Sequence, residues 1–154
     1  MFCRGCLPGQ AKQLKMLNKG EKMMKNKVAI IASNGDLFSA YKVFNIATAA
    51  AASDSEVAIF FTFEGLNLIH KQGMHGLQVP AGREAVAEGF QQANVPAVPQ
   101  LVEMAQELGV KFIACQMTMD VMGLTKEDFV EGIDVGGAVT FLEFAKDAAP
   151  TLTF

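Results

Sequence analysis

The sequence predicts a three-layer α/β/α protein whose mostly parallel sheet contains four to five strands. The main observation is an alternation. Short apolar runs that end in turn residues are followed by segments whose apolar residues recur at helical spacing. This order is typical of parallel strands joined by right-handed crossover helices that cover both faces of the sheet. The chain has 154 residues, 51% of them hydrophobic, which suits one domain with a substantial core.

The first half of this pattern predicts two strands and a long helix. Residues 28–32 form a continuous apolar run closed by Ser-Asn-Gly-Asp, as expected for a strand buried on both faces. Asp36 can cap the helix predicted over 37–52. Residues 57–63 are rich in β-forming side chains and predict the second strand, and a short helical piece is expected over 66–72.

The segment 73–99 is predicted to be irregular because glycine and proline recur through it. One or two helical turns are expected within 85–92. A loop of this length inside a compact domain is usually functional or mobile. A fifth short strand is expected either in this segment or in the C-terminal tail.

The second half predicts two further strands with their helices. A helix is expected from about Ala97, with Pro99 in its first turn and Gly109 at its end. Residues 110–115 predict the third strand and 133–135 a short fourth one. A short helix is expected near Thr125, where Asp128 three residues later forms a capping-box variant, and a final helix over 138–148.

The first 26 residues differ from the rest, so we expect a basic leader over 1–26 and one α/β domain over 27–154. Lysine recurs through residues 10–26 with only a ragged apolar stripe. Two interpretations are open: a basic amphipathic helix on a partner or membrane surface, or a solvated, partly helical leader. We favour the second because Gly20 interrupts a short helix.

Composition excludes several classes of protein. The net charge of −3 argues against a nucleic-acid binder, which needs clustered cations. No apolar run reaches the roughly 18 residues of a membrane span, and no signal peptide is evident, so we expect a cytoplasmic protein without stable membrane insertion. The sequence has no nucleotide-binding glycine motif, so no nucleotide cofactor is predicted. Cys3-Arg4-Gly5-Cys6 supplies only two of the ligands that a zinc site needs, so no metal is predicted either. That CxxC could instead be a redox pair or half a zinc site.

The strongest candidate for chemistry is Cys115, the last residue of the third predicted strand. Ligands of parallel sheets sit beyond the carboxyl ends of the strands, where Cys115 lies. Residues 118–122 can form a helical turn whose free N–H groups would lower the pKa of the thiol. The alternative is a buried cysteine that acts as a small hydrophobe.

A substrate pocket is predicted around this thiol from residues at neighbouring strand ends. Its predicted members are Asn34, Gly35, Gln116, Met117, Met119 and Gly136. Methionine close to Cys115 could line a soft apolar pocket or could simply fill the core. His70 or His75 could approach Cys115 as the base of a Cys–His dyad, or could be ordinary surface or packing residues.

Two stretches carry a family resemblance. The run VKFIACQMTMDVMG, which contains Cys115, resembles the carboxyl-terminal signature of the DsrE/DsrF-like family, in a branch sometimes labelled peroxiredoxin-like. KVAIIASNGDLFSAYKVFNIATAA resembles the amino-terminal half, so the resemblance covers 27–154. It implies a Rossmann-like, flavodoxin-like fold, a homo-oligomer and a role in sulfur relay.

The resemblance also implies how such a protein works. Cys115 matches the family's sulfur-carrying cysteine, which holds sulfur as a persulfide or thiosulfonate and passes it to a TusA-type partner, with rhodanese-like proteins as sulfur source. Some members have a second cysteine in the middle region, but residues 73–96 contain none. An intramolecular two-cysteine relay through that segment is therefore not expected.

Three functions follow as hypotheses. The leading one is a sulfur carrier or sulfurtransferase with Cys115 as the catalytic residue. The second is a non-catalytic homo-oligomeric assembly or binding module, favoured by the nine Met and twelve Phe. The third is a thiol redox enzyme, which normally needs a cation beside the thiolate; Arg83 is the only arginine after the leader.

Overall fold

The structure is a computed structural model, and it describes residues 26–154. The leader expected over 1–26, with its Cys3–Cys6 pair, therefore lies outside the described residues except for Asn26. The carbonyl of Asn26 accepts a hydrogen bond from the N–H of Glu56 at 2.8 Å, at the start of the sheet.

The described part alternates strands and helices. The strands are β1 (Lys27–Ala32), β2 (Glu56–Phe61), β3 (Lys111–Cys115), β4 (Asp134–Gly136) and β5 (Thr151–Thr153). The α-helices are α1 (Leu37–Ala52), α2 (Glu84–Gln92), α3 (Val98–Glu107), α4 (Gln116–Met122) and α5 (Ala138–Ala145). Short 3-10 helices cover Phe63–Leu68, Gly73–His75 and Lys126–Asp128. Within residues 26–154, no helix combines the length and apolarity needed to cross a membrane.

Within residues 26–154 the sheet has five strands in the order β4-β3-β2-β1-β5, and every pairing between them is parallel. The predicted α/β/α class and the four-to-five-strand sheet are confirmed. The fifth strand is in the C-terminal tail, where β5 pairs with β1. Because all strands run the same way, their carboxyl ends meet at one edge, where Cys115 is located.

The two faces of the sheet bury different clusters. The larger one contains Ile30, Ile59 and Phe112 and packs against α1 and α3. The smaller one contains Phe60, Ile113 and Cys115 with Phe141 of α5 and other residues. Successive side chains of a strand alternate between faces. Cys115 therefore shares the face of Ile113, on the α5 side of the sheet.

Several helix signals are confirmed. Asp36 accepts hydrogen bonds from the N–H groups of Phe38 and Ser39 at 2.9 and 3.0 Å and caps α1. Pro99 lies in the first turn of α3. Gly109 follows the end of α3 at φ +78°, a backbone conformation that glycine adopts without steric cost.

Several predicted elements were wrong in their ends or type. The final helix, predicted over 138–148, ends three residues early at Ala145. β2 stops at Phe61, two residues early, because Phe63 takes a left-handed conformation with φ +48°. The predicted helix over 66–72 is the earlier 3-10 helix Phe63–Leu68. The helix expected near Thr125 is a single 3-10 turn, although its Thr125–Asp128 capping bonds form. It stops there because Phe129 is extended and forms an antiparallel bridge with His70.

Candidate functional site

The thiol of Cys115 lies at the junction between β3 and α4. Cys115 is the last residue of β3 and the N-cap residue of α4, so the helix begins two residues earlier than expected. Its side chain is 5% exposed, and Gly136 is its partner in the β3–β4 ladder. A Cβ at Gly136 would approach Thr140 to 3.0 Å, so a larger residue would crowd the start of α5.

The pKa of the Cys115 thiol lies below its ordinary value. Burial on its own raises this pKa, because it disfavours the thiolate. The hydroxyl and N–H of Thr118, the hydroxyl of Thr62 and the N–H of Met117 outweigh burial, because they stabilise the negative charge. No cap-type hydrogen bond runs from the thiol to the first turn of α4, so the two amides act as polar neighbours. Among these four groups there is no side-chain cation.

Two hydroxyls are central to this arrangement. Thr118 is fully buried, and its Oγ1 lies 3.2 Å from Oγ1 of Thr62. The same Thr118 oxygen accepts the N–H of Phe63 at 3.3 Å. Since that N–H occupies a lone pair, the hydroxyl proton of Thr118 stays available for Thr62 or for the sulfur.

The sequence predicted backbone N–H groups of the turn at Thr118 beside the thiol but neither threonine hydroxyl. The signal for Thr118 was its position three residues after an N-cap residue, where side chains reach back to the cap. The signal for Thr62 lies in the register of the sheet. Phe61 of β2 pairs with Ala114 of β3. The residues that follow this pair, Thr62 and Cys115, therefore lie side by side.

The predicted pocket residues on α4 have different surroundings. Gln116 is exposed, and its Nε2 donates to Oδ1 of Asp120 at 2.7 Å. Met117 is 54% exposed and contributes its backbone N–H to the thiol. Met119 is 3% exposed and belongs to the larger core cluster, whereas Cys115 belongs to the smaller one. Asp120 is not among the groups that shift the pKa of Cys115.

The predicted pocket residues after β1 lie at the neighbouring strand end. Asn34 is exposed, and Gly35 lines a cavity of about 690 Å³. Phe63, Asn67 and Met122 are among its other lining residues. This cavity is beside the thiol site and does not include Cys115 in its lining.

The groups that shift the pKa of the Cys115 thiol include no histidine, lysine or arginine side chain. His70 lines the cavity, and its Nδ1 accepts the N–H groups of Gln72 and Gly73 at 3.2 and 3.0 Å. His75 lines a second cavity, and the guanidinium of Arg83 lies 5.7 Å from the ring centre of Phe38. The structure therefore gives no support to a Cys–His dyad. Within residues 26–154, no cluster of three or more His, Cys, Asp or Glu is arranged to hold a metal ion.

Fold and site together define a class: a parallel three-layer α/β/α protein with a cysteine of lowered pKa where an interior strand meets a helix. The model of the DsrE/DsrF/DrsH-like family matches residues 24–87 and 79–153 of this sequence. The chain belongs to this family, as the sequence resemblance implied.

Two relatives agree with this assignment, and one solved structure shares the fold. The chain is 34% identical to "Sulfur carrier protein DsrE2" of Allochromatium vinosum, over 82% of this chain and 96% of that protein. It is 33% identical to the uncharacterized protein YrkE of Bacillus subtilis, over 82% and 95%. The crystal structure of the ychN protein from E. coli shares the fold with a TM-score of 0.62 at 17% identity, over 84% of this chain and 99% of that one.

Proposed function

We propose that this protein is a sulfur carrier, with Cys115 as the residue that takes and yields the sulfur. The observation that carries the proposal is the lowered pKa of a thiol held by Thr62, Thr118 and the start of α4. Thiolate is the form that attacks sulfur, and sulfur exchange needs no additional base. A sulfur-relay role in general is supported by the relative named as a sulfur carrier and by the family match.

The proposed reaction is a transfer between sulfur atoms. The Cys115 thiolate attacks the outer sulfur of a persulfide donor, R–S–SH. A bond forms between Cys115 and that sulfur, the bond inside the donor breaks, and R–S⁻ leaves with the electron pair. The proton stays on the transferred sulfur, so the product is a Cys115 persulfide. The reverse exchange with an acceptor thiolate unloads it.

The burial of Cys115 suits a carrier. Its smaller core cluster contains Phe60, Ile113 and Phe141, so the sulfur sits against apolar side chains. Water and small oxidants then reach a bound persulfide slowly. The hydroxyls of Thr62 and Thr118 would stabilise the charge of the carried sulfur in these dry surroundings.

We further propose that apolar side chains around the site dock other chains. Phe63, Met117 and Val121 are exposed on or next to α4, and Val139 and Leu142 are exposed on α5. Exposed apolar side chains of this kind favour contacts with a TusA-type or rhodanese-like partner, or with further copies of the chain. The proposed setting is the cytoplasm, where thiols stay reduced.

Intact-mass spectrometry tests the carrier proposal. The wild type is incubated with inorganic polysulfide, desalted and weighed, and the expected product has gained sulfur on one site. Cys115→Ala removes the thiol and should gain none. Val121→Ala, an exposed change on the same helix, is the matched control and should load like the wild type. Equal loading of wild type and Cys115→Ala would overturn the assignment.

A further inference from the structure

The cavity of about 690 Å³ described above has the size of a small-molecule site. It lies beyond the carboxyl ends of β1 and β2, where parallel sheets hold ligands, and Gly35, Phe63 and Asn67 contribute to its lining. Its walls depend on close glycine packing. A Cβ at Gly35 would overlap the carbonyl of Glu64, and one at Gly73 would overlap the side chain of Asn67.

This cavity shares a wall with the thiol site. Phe63 lines the cavity, and its backbone N–H donates to Oγ1 of Thr118, which acts on Cys115. Met122 also lines the cavity and is the last residue of α4, the helix that Cys115 caps. Phe63 is 53% exposed, so about half of its surface is open to solvent.

The polar groups that line the cavity indicate which ligand groups it can bind. Because Nδ1 of His70 accepts two backbone N–H groups, the proton of the neutral ring is on Nε2. That Nε2–H has no acceptor within residues 26–154, so it can donate to a carboxylate oxygen of a ligand.

The charges of the lining residues further restrict the chemical class of the ligand. Glu64 lines the cavity, and its carboxylate has no hydrogen-bond or ion-pair partner among the described residues, so it can accept an ammonium group. No Lys or Arg is among the lining residues, so a dianion such as thiosulfate finds no counter-charge there. Apolar contacts from Phe63 and Met122 suit a sulfur-containing stem.

We propose that this cavity binds the persulfide of a small zwitterionic amino-acid thiol as the sulfur donor of Cys115. The proposal rests on the carrier function proposed above. The ammonium group pairs with Glu64, the carboxylate accepts from His70, and the persulfide extends past Phe63 towards the thiol. The thiolate of Cys115 forms a bond to the outer sulfur, which keeps its proton, and the amino-acid thiolate leaves with the electron pair.

Calorimetry with S-methyl-L-cysteine tests binding without any sulfur transfer, because this thioether has the shape of cysteine persulfide but does not react. Saturable binding to the wild type is expected. His70→Asn keeps an acceptor near Nδ1 but lacks the Nε2–H, and Glu64→Gln removes the charge. Each should weaken binding by about tenfold, the effect of losing a hydrogen bond to a charged group. Glu103→Gln, an exposed change on α3, is the matched control and should bind like the wild type.

The rate of loading separates this inference from the carrier proposal. His70→Asn and Glu64→Gln should slow loading from L-cysteine persulfide by about tenfold and leave loading from inorganic polysulfide unchanged. N-acetyl-L-cysteine persulfide, which lacks the ammonium group, should load the wild type and Glu64→Gln at the same rate. The inference is overturned if S-methyl-L-cysteine does not bind, or if the variants bind it as the wild type does. Failure of the wild type to load from polysulfide would instead overturn the carrier function.

Discussion

Replacing Thr118 with valine tests the electrostatics of the site, because valine keeps the shape and removes the hydroxyl. Thr118 is fully buried, and its Oγ1 contacts the N–H of Phe63 and the hydroxyl of Thr62. A hydrogen bond to a charged group contributes about 1.5–3 kcal/mol. Losing this stabilisation of the thiolate should raise the pKa of Cys115.

The assay is the rate of alkylation by iodoacetamide as a function of pH. In Thr118→Val the pH midpoint of alkylation should move upward. At pH values below the midpoints of both proteins, the rate should be about 10- to 100-fold lower than in the wild type. The higher intrinsic nucleophilicity of a more basic thiolate offsets part of this fall. Thr118→Ser keeps a hydroxyl at the same place and should retain most of the wild-type profile. An unchanged midpoint in Thr118→Val, in a variant that melts cooperatively, would refute the role given to this hydroxyl.

Three further predictions concern stability. Because the folded protein favours the Cys115 thiolate, the wild type should gain stability over Cys115→Ala as pH rises towards the ordinary thiol pKa of about 8.5, and a constant difference in chemical denaturation would contradict this. Asp36→Ala should cost about 1 kcal/mol near neutral pH. Burial raises the pKa of Asp36, but hydrogen bonds from the first turn of α1 outweigh it, so the cost should shrink as pH falls through that lowered pKa. Gly65→Ala should lower the melting temperature because its Cβ would overlap the carbonyl of Ala32, whereas Gly89→Ala on exposed α2 meets no atom and should stabilise by about 1 kcal/mol.

Local signals were sufficient to predict β3 and the start of α1. The apolar run before Cys115 predicted β3, and Asp36 predicted the start of α1. These features depend on residues that are close in sequence, so periodicity and capping residues identify them. The family resemblance added the sulfur chemistry, which no spacing in the sequence specifies.

The rest of the site depends on contacts between distant residues. Thr62 reaches Cys115 only because β2 pairs with β3 in one particular register, and 56 positions separate Thr62 from Thr118. The left-handed turn at Phe63 forms where Gly65 packs on the carbonyl of Ala32. Periodicity in the sequence indicates neither the register nor this packing, so β2 was predicted too long and Thr62 was missed. Thr118 was missed for a local reason, because the helix was expected to begin at residue 118 and not at Gln116.

The central claim is that Cys115 both takes and yields sulfur, and a single-turnover transfer tests it most directly. Wild-type protein is loaded with polysulfide, freed of donor and mixed with an equimolar small protein that carries one reactive thiol. Intact masses of both chains are then followed in time. We predict that the wild type loses one sulfur while the acceptor gains one, and that Cys115→Ala treated in the same way transfers none. Sulfur that stays on the wild type, or that also passes from Cys115→Ala, would contradict the account.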